Sequence, residues 1–188
     1  MSPEKLRICG PDGAYRSGEA ILVQDGALFL GTIEAPELSR DGKSVHFGRF
    51  LPSPAVRTED RHFAPLLLLE VMAFIAEHFA AVETIRFTLT RQVEMHGDGL
   101  KVALSRLALL ERIGAANLQM TPTPDASIPG NFVVQGVWEY NGPNLASLTL
   151  ELAAQRLDYF RQRAELVAAQ PTIAGRWRRW RWWRSTAS

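Results

Sequence analysis

Phe63 to Ala81 reads FAPLLLLEVMAFIAEHFAA, and the architecture of the chain follows from this segment. It consists of good helix formers, and Pro65 stands where the first turn of a helix tolerates proline. Only Glu70, Glu77 and His78 interrupt its apolar surface. A helix with so narrow a polar stripe must be covered on most sides. We therefore expect a buried helix that lies on a sheet.

The residues before this segment favour β-strands. Ala20 to Gln24 and Ala27 to Ile33 are apolar runs, and Asp25-Gly26 between them is a dipeptide favoured in two-residue hairpin turns. Apolar and polar side chains then alternate from Ser44 to Leu51, which predicts a third strand that ends at Pro52.

The residues after the segment alternate between strand and helix patterns. We predict a strand from Glu83 to Val93, a helix from Leu100 to Ile113 with Gly114 as its cap, strands at Asn117 to Met120 and Phe132 to Tyr140, and a final helix from Asn144 to Gln170. This order predicts an α+β fold, a mixed sheet flanked by helices, in one domain over residues 1–170.

Composition narrows the classes of protein. The chain has 188 residues, 46% of them hydrophobic, with 21 basic and 20 acidic side chains, which suits one globular domain and gives no overall charge bias. Cys9 is the only cysteine, which excludes an internal disulfide and a zinc site with several thiolates. The histidine spacing predicts no metal site. No apolar run suits a secretory signal or a membrane span, so we expect a cytoplasmic protein.

The end of the chain differs from the rest. Gly175 to Ser188 contain five arginines, four tryptophans and no acidic residue, and without them the net charge of +1 becomes −4. We expect residues 171–188 to form an Arg/Trp-rich tail, and two interpretations stay open. The tail is either a disordered extension without a role or a segment that touches an anionic membrane or nucleic acid.

Four segments between Val45 and Tyr140 carry a family pattern: VHFGRFLPSP, HFAPLLLLEVMAFIAEHFAA, ETIRFTL and ALLERIGA. Together they resemble the GCN5-related N-acetyltransferase (GNAT) superfamily, in which a central strand leads to a pyrophosphate-binding loop and helix, a splayed strand and a further helix. The resemblance covers about half of the chain. It implies a GNAT-like fold and the transfer of an acyl group from acyl-CoA, acetyl-CoA or an acyl carrier protein to a small-molecule amine.

The resemblance also implies where the cofactor binds. The family's loop is rich in glycine, because glycine lets backbone N–H groups approach a pyrophosphate at a helix N-terminus. The matching segment is Glu59 to Ala64, in which Ala64 fits the pattern whereas Glu59 and His62 depart from it. We expect the cofactor to be held by Arg57, Arg61, His62, Phe63 and Ala64.

Three residues are expected to face the acceptor amine and act in catalysis: His46, Glu34 and Arg49. His46 lies on the predicted strand that borders the cleft, and a histidine can accept a proton near neutral pH. Glu34 ends the second predicted strand and is a candidate base. The structural interpretations also stay open, namely a strand histidine satisfied by a neighbour and a solvated carboxylate at a strand end.

Departures from the family pattern leave several alternatives open. The tyrosine that often serves as general acid in GNAT enzymes falls at Leu110, which cannot donate a proton. The chain could thus be a catalytically degenerate GNAT-like binding or assembly module. Gly48-Arg49-Phe50 resembles the Ser-Arg-Phe run of acyl-homoserine lactone synthases, which leaves that branch of the fold open. Those enzymes also have an N-terminal tryptophan, whereas no tryptophan precedes Trp138 here. A hot-dog thioesterase or dehydratase would need a continuous antiparallel sheet after the central helix. A homodimer also stays open.

Overall fold

The computed structural model of the chain describes residues 6–16, 18–47, 50–53, 63–89, 99–123 and 132–169. Its elements follow in the order β1 (Arg7–Cys9), β2 (Ile21–Asp25), β3 (Leu28–Ile33), β4 (Glu37–Leu38), β5 (Ser44–Phe47), β6 (Phe50–Pro52), α1 (Phe63–His78), β7 (Thr84–Leu89), α2 (Gly99–Arg112), β8 (Ala116–Pro122), β9 (Phe132–Glu139) and α3 (Gly142–Ala169). The predicted α+β class, with mixed strands flanked by helices, is confirmed.

The strands form two sheets. The first sheet has the order β1-β2-β3-β6, and all of its pairs are antiparallel. The second sheet has the order β4-β5-β7-β9-β8, and its β5–β7 pair is parallel. Because α1 connects these two parallel strands, β5, α1 and β7 make one strand–helix–strand unit.

One long hairpin links the two sheets. Its register runs without a slip from Gly31↔Pro52, in the β3–β6 pair, to Leu38↔Val45, in the β4–β5 pair. The predicted third strand, Ser44 to Leu51, is therefore divided. Its first half pairs with β7 in the second sheet, and its end pairs with β3 in the first.

Helix α1 is buried as its composition predicts. Leu66, Leu69, Val71, Met72 and Ile75 are 0% exposed and belong to one core cluster that includes strands of both sheets. The helix ends at His78, three residues before the predicted end, and Glu77 and His78 are its exposed edge.

Helix α2 ends as predicted. Gly114 has a φ of 83°, the left-handed conformation that a helix cap requires and that glycine adopts without a steric cost. The chain then enters the β8–β9 hairpin, where the indole nitrogen Nε1 of Trp138 donates a 2.7 Å hydrogen bond to the carbonyl of Ile113. Trp138 is fully buried and fixes α2 against the sheet.

Helix α3 is held by two buried carboxylates from distant parts of the chain. Arg156 donates two 2.7 Å hydrogen bonds to Glu70 of α1, which is 3% exposed. Asp25, at the end of β2, is 4% exposed, accepts a 2.9 Å hydrogen bond from the hydroxyl of Tyr159 and lies 2.9 Å from Arg163. The three α3 residues lie on one side of the helix and face the body of the protein.

Other expectations are settled in part. The hot-dog alternative is wrong, because β5 and β7 are parallel and α2 follows β7. Strands β1 and β4 were not predicted.

The Arg/Trp-rich tail, residues 171–188, lies outside the described residues, so its role stays a prediction. Within the helices that the structure describes, none combines the length and apolar character needed to cross a bilayer.

Candidate functional site

The second sheet has one buried face and one open face. Along β7, Ile85 and Phe87 are buried whereas Arg86 is exposed, because successive side chains of a strand point to opposite sides. Val45 and Phe47 of β5 follow the same rule, and His46 between them shares the side of Arg86. We call the side with His46 and Arg86 the outer face.

Both helices next to the sheet lie on its buried face. Trp138 contacts the end of α2, and the hydroxyl of Tyr140 donates a 2.9 Å hydrogen bond to the carbonyl of Met72 in α1. Residues two apart along an extended chain share one face, so α1 and α2 pack on the same side. Helix α3 packs on α1. In the described part of the chain, the outer face therefore stays accessible.

His46 is the best-positioned basic group on the outer face. Its Nε2 lies 3.1 Å from the hydroxyl oxygen Oγ1 of Thr88, which is hydrogen-bond distance. Its Nδ1 lies 3.8 Å from the carboxylate oxygen Oε2 of Glu37, close enough for an ion pair when the ring is protonated. The His46 side chain is 38% exposed, so a substrate can reach it. The carboxylate of Glu37, the imidazole of His46 and the hydroxyl of Thr88 form an arrangement in which the histidine can accept and pass on a proton.

An open depression of about 280 Å³ lies beside His46 on the outer face. Arg86, Thr88 and Gln135 form its floor, since Thr88 pairs with Gln135 across the β7–β9 ladder. Gln119 of β8 continues this row, because it pairs with Gln135. The depression thus lies on the strands themselves and combines these polar side chains with apolar lining, including Val137.

A β-bulge in β8 adds a further amide to this depression. Asn117 and Leu118 together oppose the single residue Gly136, and Asn117 has a φ of 53°, in the left-handed region. Leu118 packs so closely over Gly136 that a Cβ on residue 136 would lie 2.6 Å from Leu118 Cδ2. Asn117 lines the same depression as Gln119.

The described part of the β5–β7 ladder ends next to His46. Strand β5 pairs with β7 as far as Phe47↔Phe87, and the two residues after Phe47 lie outside the described residues. Thr88 and Leu89 continue β7 past this point and pair with β9 on its other side.

The predicted cofactor residues are only partly described. Phe63 and Ala64 are the first two residues of α1, whose first turn contains no acidic side chain. Arg57, Arg61 and His62 lie outside the described residues, as does the predicted catalytic residue Arg49. Their roles stay predictions.

The sequence pattern predicts Glu34 as the catalytic carboxylate, whereas the structure places a different carboxylate, Glu37, beside His46. Glu34 follows the last residue of β3 directly and is exposed, and its catalytic role stays a prediction. Glu37 pairs with His46 across the β4–β5 ladder and is the carboxylate that faces its ring. Sequence reasoning also missed Thr88 as a partner of His46. The parallel alignment of the two predicted strands, had it been considered, would have brought them together.

A tyrosine general acid is missing from the outer face. Leu110 is 0% exposed in the core, so the position that matches the family's tyrosine faces away from the depression. Burial raises the pKa of the Tyr140 phenol, whose hydroxyl binds Met72. Tyr15 packs edge-on against Phe74, and Tyr159 binds Asp25. These are all three tyrosines of the chain.

A metal centre also has no support in the described residues. No group of three or more histidine, cysteine, aspartate or glutamate side chains lies together there in a way that could hold an ion. The expectation of no metal stays a prediction for the rest of the chain.

Comparisons with known proteins give matches among solved structures alone. No family model matches the chain, and no curated protein is similar to it. An acetyltransferase of Bacillus subtilis in complex with CoA is 12% identical, with a TM-score of 0.43 over 66% of this chain and 78% of the other. The N-terminal domain of a ribosomal-protein-alanine acetyltransferase from Clostridium acetobutylicum is 12% identical, with a TM-score of 0.49 over 77% and 98%.

A GNAT family acetyltransferase from Elizabethkingia anophelis with acetyl-CoA bound is 9% identical, with a TM-score of 0.44 over 74% of this chain and 99% of the other. These matches concern the fold of the chain, and they do not identify a substrate. The element order itself has the predicted GNAT-like form: a central strand, a helix, a parallel strand, a second helix and an antiparallel hairpin.

Proposed function

We propose that this protein transfers an acyl group from a CoA or carrier-protein thioester to a small amine. The observation that carries the proposal is the position of His46 on the outer face of the parallel β5–β7 pair, where its ring lies 3.1 Å from the hydroxyl of Thr88 and 3.8 Å from the carboxylate of Glu37. The His46 side chain is 38% exposed, so an amine and a thioester can reach it. A histidine in this position can take a proton from an amine near neutral pH.

The start of α1 is suited to bind the phosphate groups of the same acyl donor. The positive end of a helix dipole favours an anion, and no acidic side chain in the first turn of α1 competes for it. Pro65 removes one N–H donor from this turn, and Arg57, Arg61 and His62 precede it in sequence. We assign the pyrophosphate to these residues as part of the proposal.

His46 acts as the general base. The amine nitrogen attacks the thioester carbonyl carbon, the C–N bond forms and the C–S bond breaks. The amine proton passes to Nε2 of His46, directly or through the hydroxyl of Thr88, and Glu37 stabilises the imidazolium that results. The leaving thiolate takes its proton from this imidazolium or from water, because no tyrosine serves as the acid.

Replacement of His46 tests this assignment. We expect His46→Ala to lower the rate of thiol release from acyl-CoA, in the presence of a panel of small amines, by about 10²- to 10⁴-fold, the usual contribution of a positioned general base. Thr88→Val should lower it less. His78→Ala is the matched control, because His78 binds the carbonyl of Phe74 at the far end of α1.

A rate unaffected by His46→Ala would contradict the base assignment. A second candidate function, a non-catalytic GNAT-like binding module, is favoured by the burial of Leu110 where the family has an acid. It predicts that acetyl-CoA or a longer acyl-CoA raises the melting temperature while no amine releases the thiol. The lactone synthase alternative has less support, because the N-terminal tryptophan of those enzymes has no counterpart before Trp138.

A further inference from the structure

Arg86 is a cation without an ion-pair partner among the described residues. Its side chain is exposed, and within that part of the chain no carboxylate forms an ion pair with it. The nine residues that line the depression include no aspartate or glutamate. On the paired strands, Glu37 faces His46, and Glu139 pairs with Thr84 at the start of β7.

The amides around Arg86 complete a site for oxygen atoms. Asn117, Gln119 and Gln135 line the same depression, and each can donate two hydrogen bonds from its NH₂ group. A guanidinium binds carboxylate and phosphate oxygens in a planar, two-pronged arrangement. One unpaired arginine beside three amides is therefore complementary to a small anion with several oxygens.

We propose that this depression binds the anionic group, a carboxylate or a phosphate, of the acceptor amine. The inference rests on the proposed function for the position of the amine, which lies at His46. His46 and Arg86 are register partners on neighbouring strands, which are about 5 Å apart. The acceptor class is accordingly a short amino acid or phosphorylated amine, in which a few bonds separate the amine from the anion.

Binding can be measured without any acyl donor. We would titrate the ¹⁵N-labelled protein with two matched pairs, β-alanine against 3-aminopropan-1-ol and phosphoethanolamine against ethanolamine, at constant ionic strength. The anionic members should shift the side-chain NH₂ signals of Asn117, Gln119 and Gln135, and the neutral-ended members should not. The two pairs distinguish carboxylate from phosphate.

Variants of Arg86 give the decisive comparison. Arg86→Gln should weaken binding of the anionic member by about tenfold or more, the equivalent of one charged hydrogen bond, and Arg86→Lys should recover part of the loss. Arg40→Gln, in the turn before β5, is the matched control, because Arg40 is also exposed and does not line the depression. The same spectra report whether each variant is folded.

The outcomes separate the two proposals. Equal shifts by the anionic and neutral-ended probes, or unchanged binding by Arg86→Gln, would overturn the anion site even if acyl transfer occurs. Binding that depends on Arg86, without thiol release from any acyl donor, would keep the anion site and contradict the proposed function.

Discussion

The Glu70–Arg156 pair is the strongest case of a single contact that holds this fold. The Glu70 side chain is 4% exposed and that of Arg156 is 22% exposed, and the two hydrogen bonds between them raise the pKa of Arg156. Arg112 of α2 and Glu151 of α3 have the same two-pronged geometry, with side-chain exposures of 51% and 17%. Burial is the main difference between the pairs.

We predict that Arg156→Met lowers the free energy of unfolding by about 3–5 kcal/mol, because it leaves the Glu70 carboxylate buried and unpaired. Arg112→Met should cost about 1 kcal/mol or less, since about half of the Arg112 side chain is exposed to solvent. Thermal unfolding at neutral pH measures both. The double variant Glu70→Leu/Arg156→Met should recover most of the stability, and equal losses from the two arginine variants would contradict the argument.

Composition and hydrophobic periodicity determine which elements are predictable from the sequence. Strand β7 and helix α2 are predictable because their apolar positions repeat with a clear period, whereas α1 is predictable as a long run of good helix formers with a narrow polar stripe. Gly114 is predictable as the cap of α2. Such patterns do not show which residues from distant parts of the chain pair with each other. Glu70 read as part of a polar stripe, because its partner lies 86 residues further along the chain. His46 was selected as a base from its strand, whereas Thr88 required the register between β5 and β7.

The bulge in β8 is an element-level feature that the sequence concealed, since asparagine there reads as an ordinary turn or strand residue. We predict that Asn117→Gly keeps or slightly raises the stability, because glycine adopts the left-handed conformation freely. Asn117→Val should cost about 1–2 kcal/mol, because the β-branched side chain of valine crowds the backbone in the left-handed conformation, which asparagine tolerates. Denaturant unfolding of both variants gives the comparison. A valine variant as stable as the glycine variant would refute the strained backbone at residue 117.

At the scale of the whole molecule, the two sheets share one hairpin and one core. The same apolar cluster includes Ile21 of the first sheet, Leu69 of α1 and Trp138 of the second sheet. Because the β3–β6 and β4–β5 pairs are continuous in register, neither sheet can lose its strands without affecting the other. The molecule should therefore open as one cooperative unit.

Two buried probes, one in each sheet, test this cooperativity. Cys9 is the only cysteine and is buried in the first sheet, and the Trp138 indole N–H is buried against α2 in the second. We predict that thiol labelling of Cys9 and hydrogen exchange of the Trp138 indole report the same opening free energy. A Cys9 value lower by about 2 kcal/mol or more would mean that the first sheet opens separately.

The contact between α3 and Asp25 also affects when each part of the protein can fold during its synthesis on the ribosome. Tyr159 lies 134 residues after Asp25, an interval that takes about 7 to 27 s at a synthesis rate of 5–20 residues per second. During that time the nascent β2–β3 hairpin has an acidic side chain that the final structure buries, and Glu70 is in the same state. These early segments cannot reach their native burial before α3 leaves the exit tunnel, so their compaction waits for the synthesis of α3.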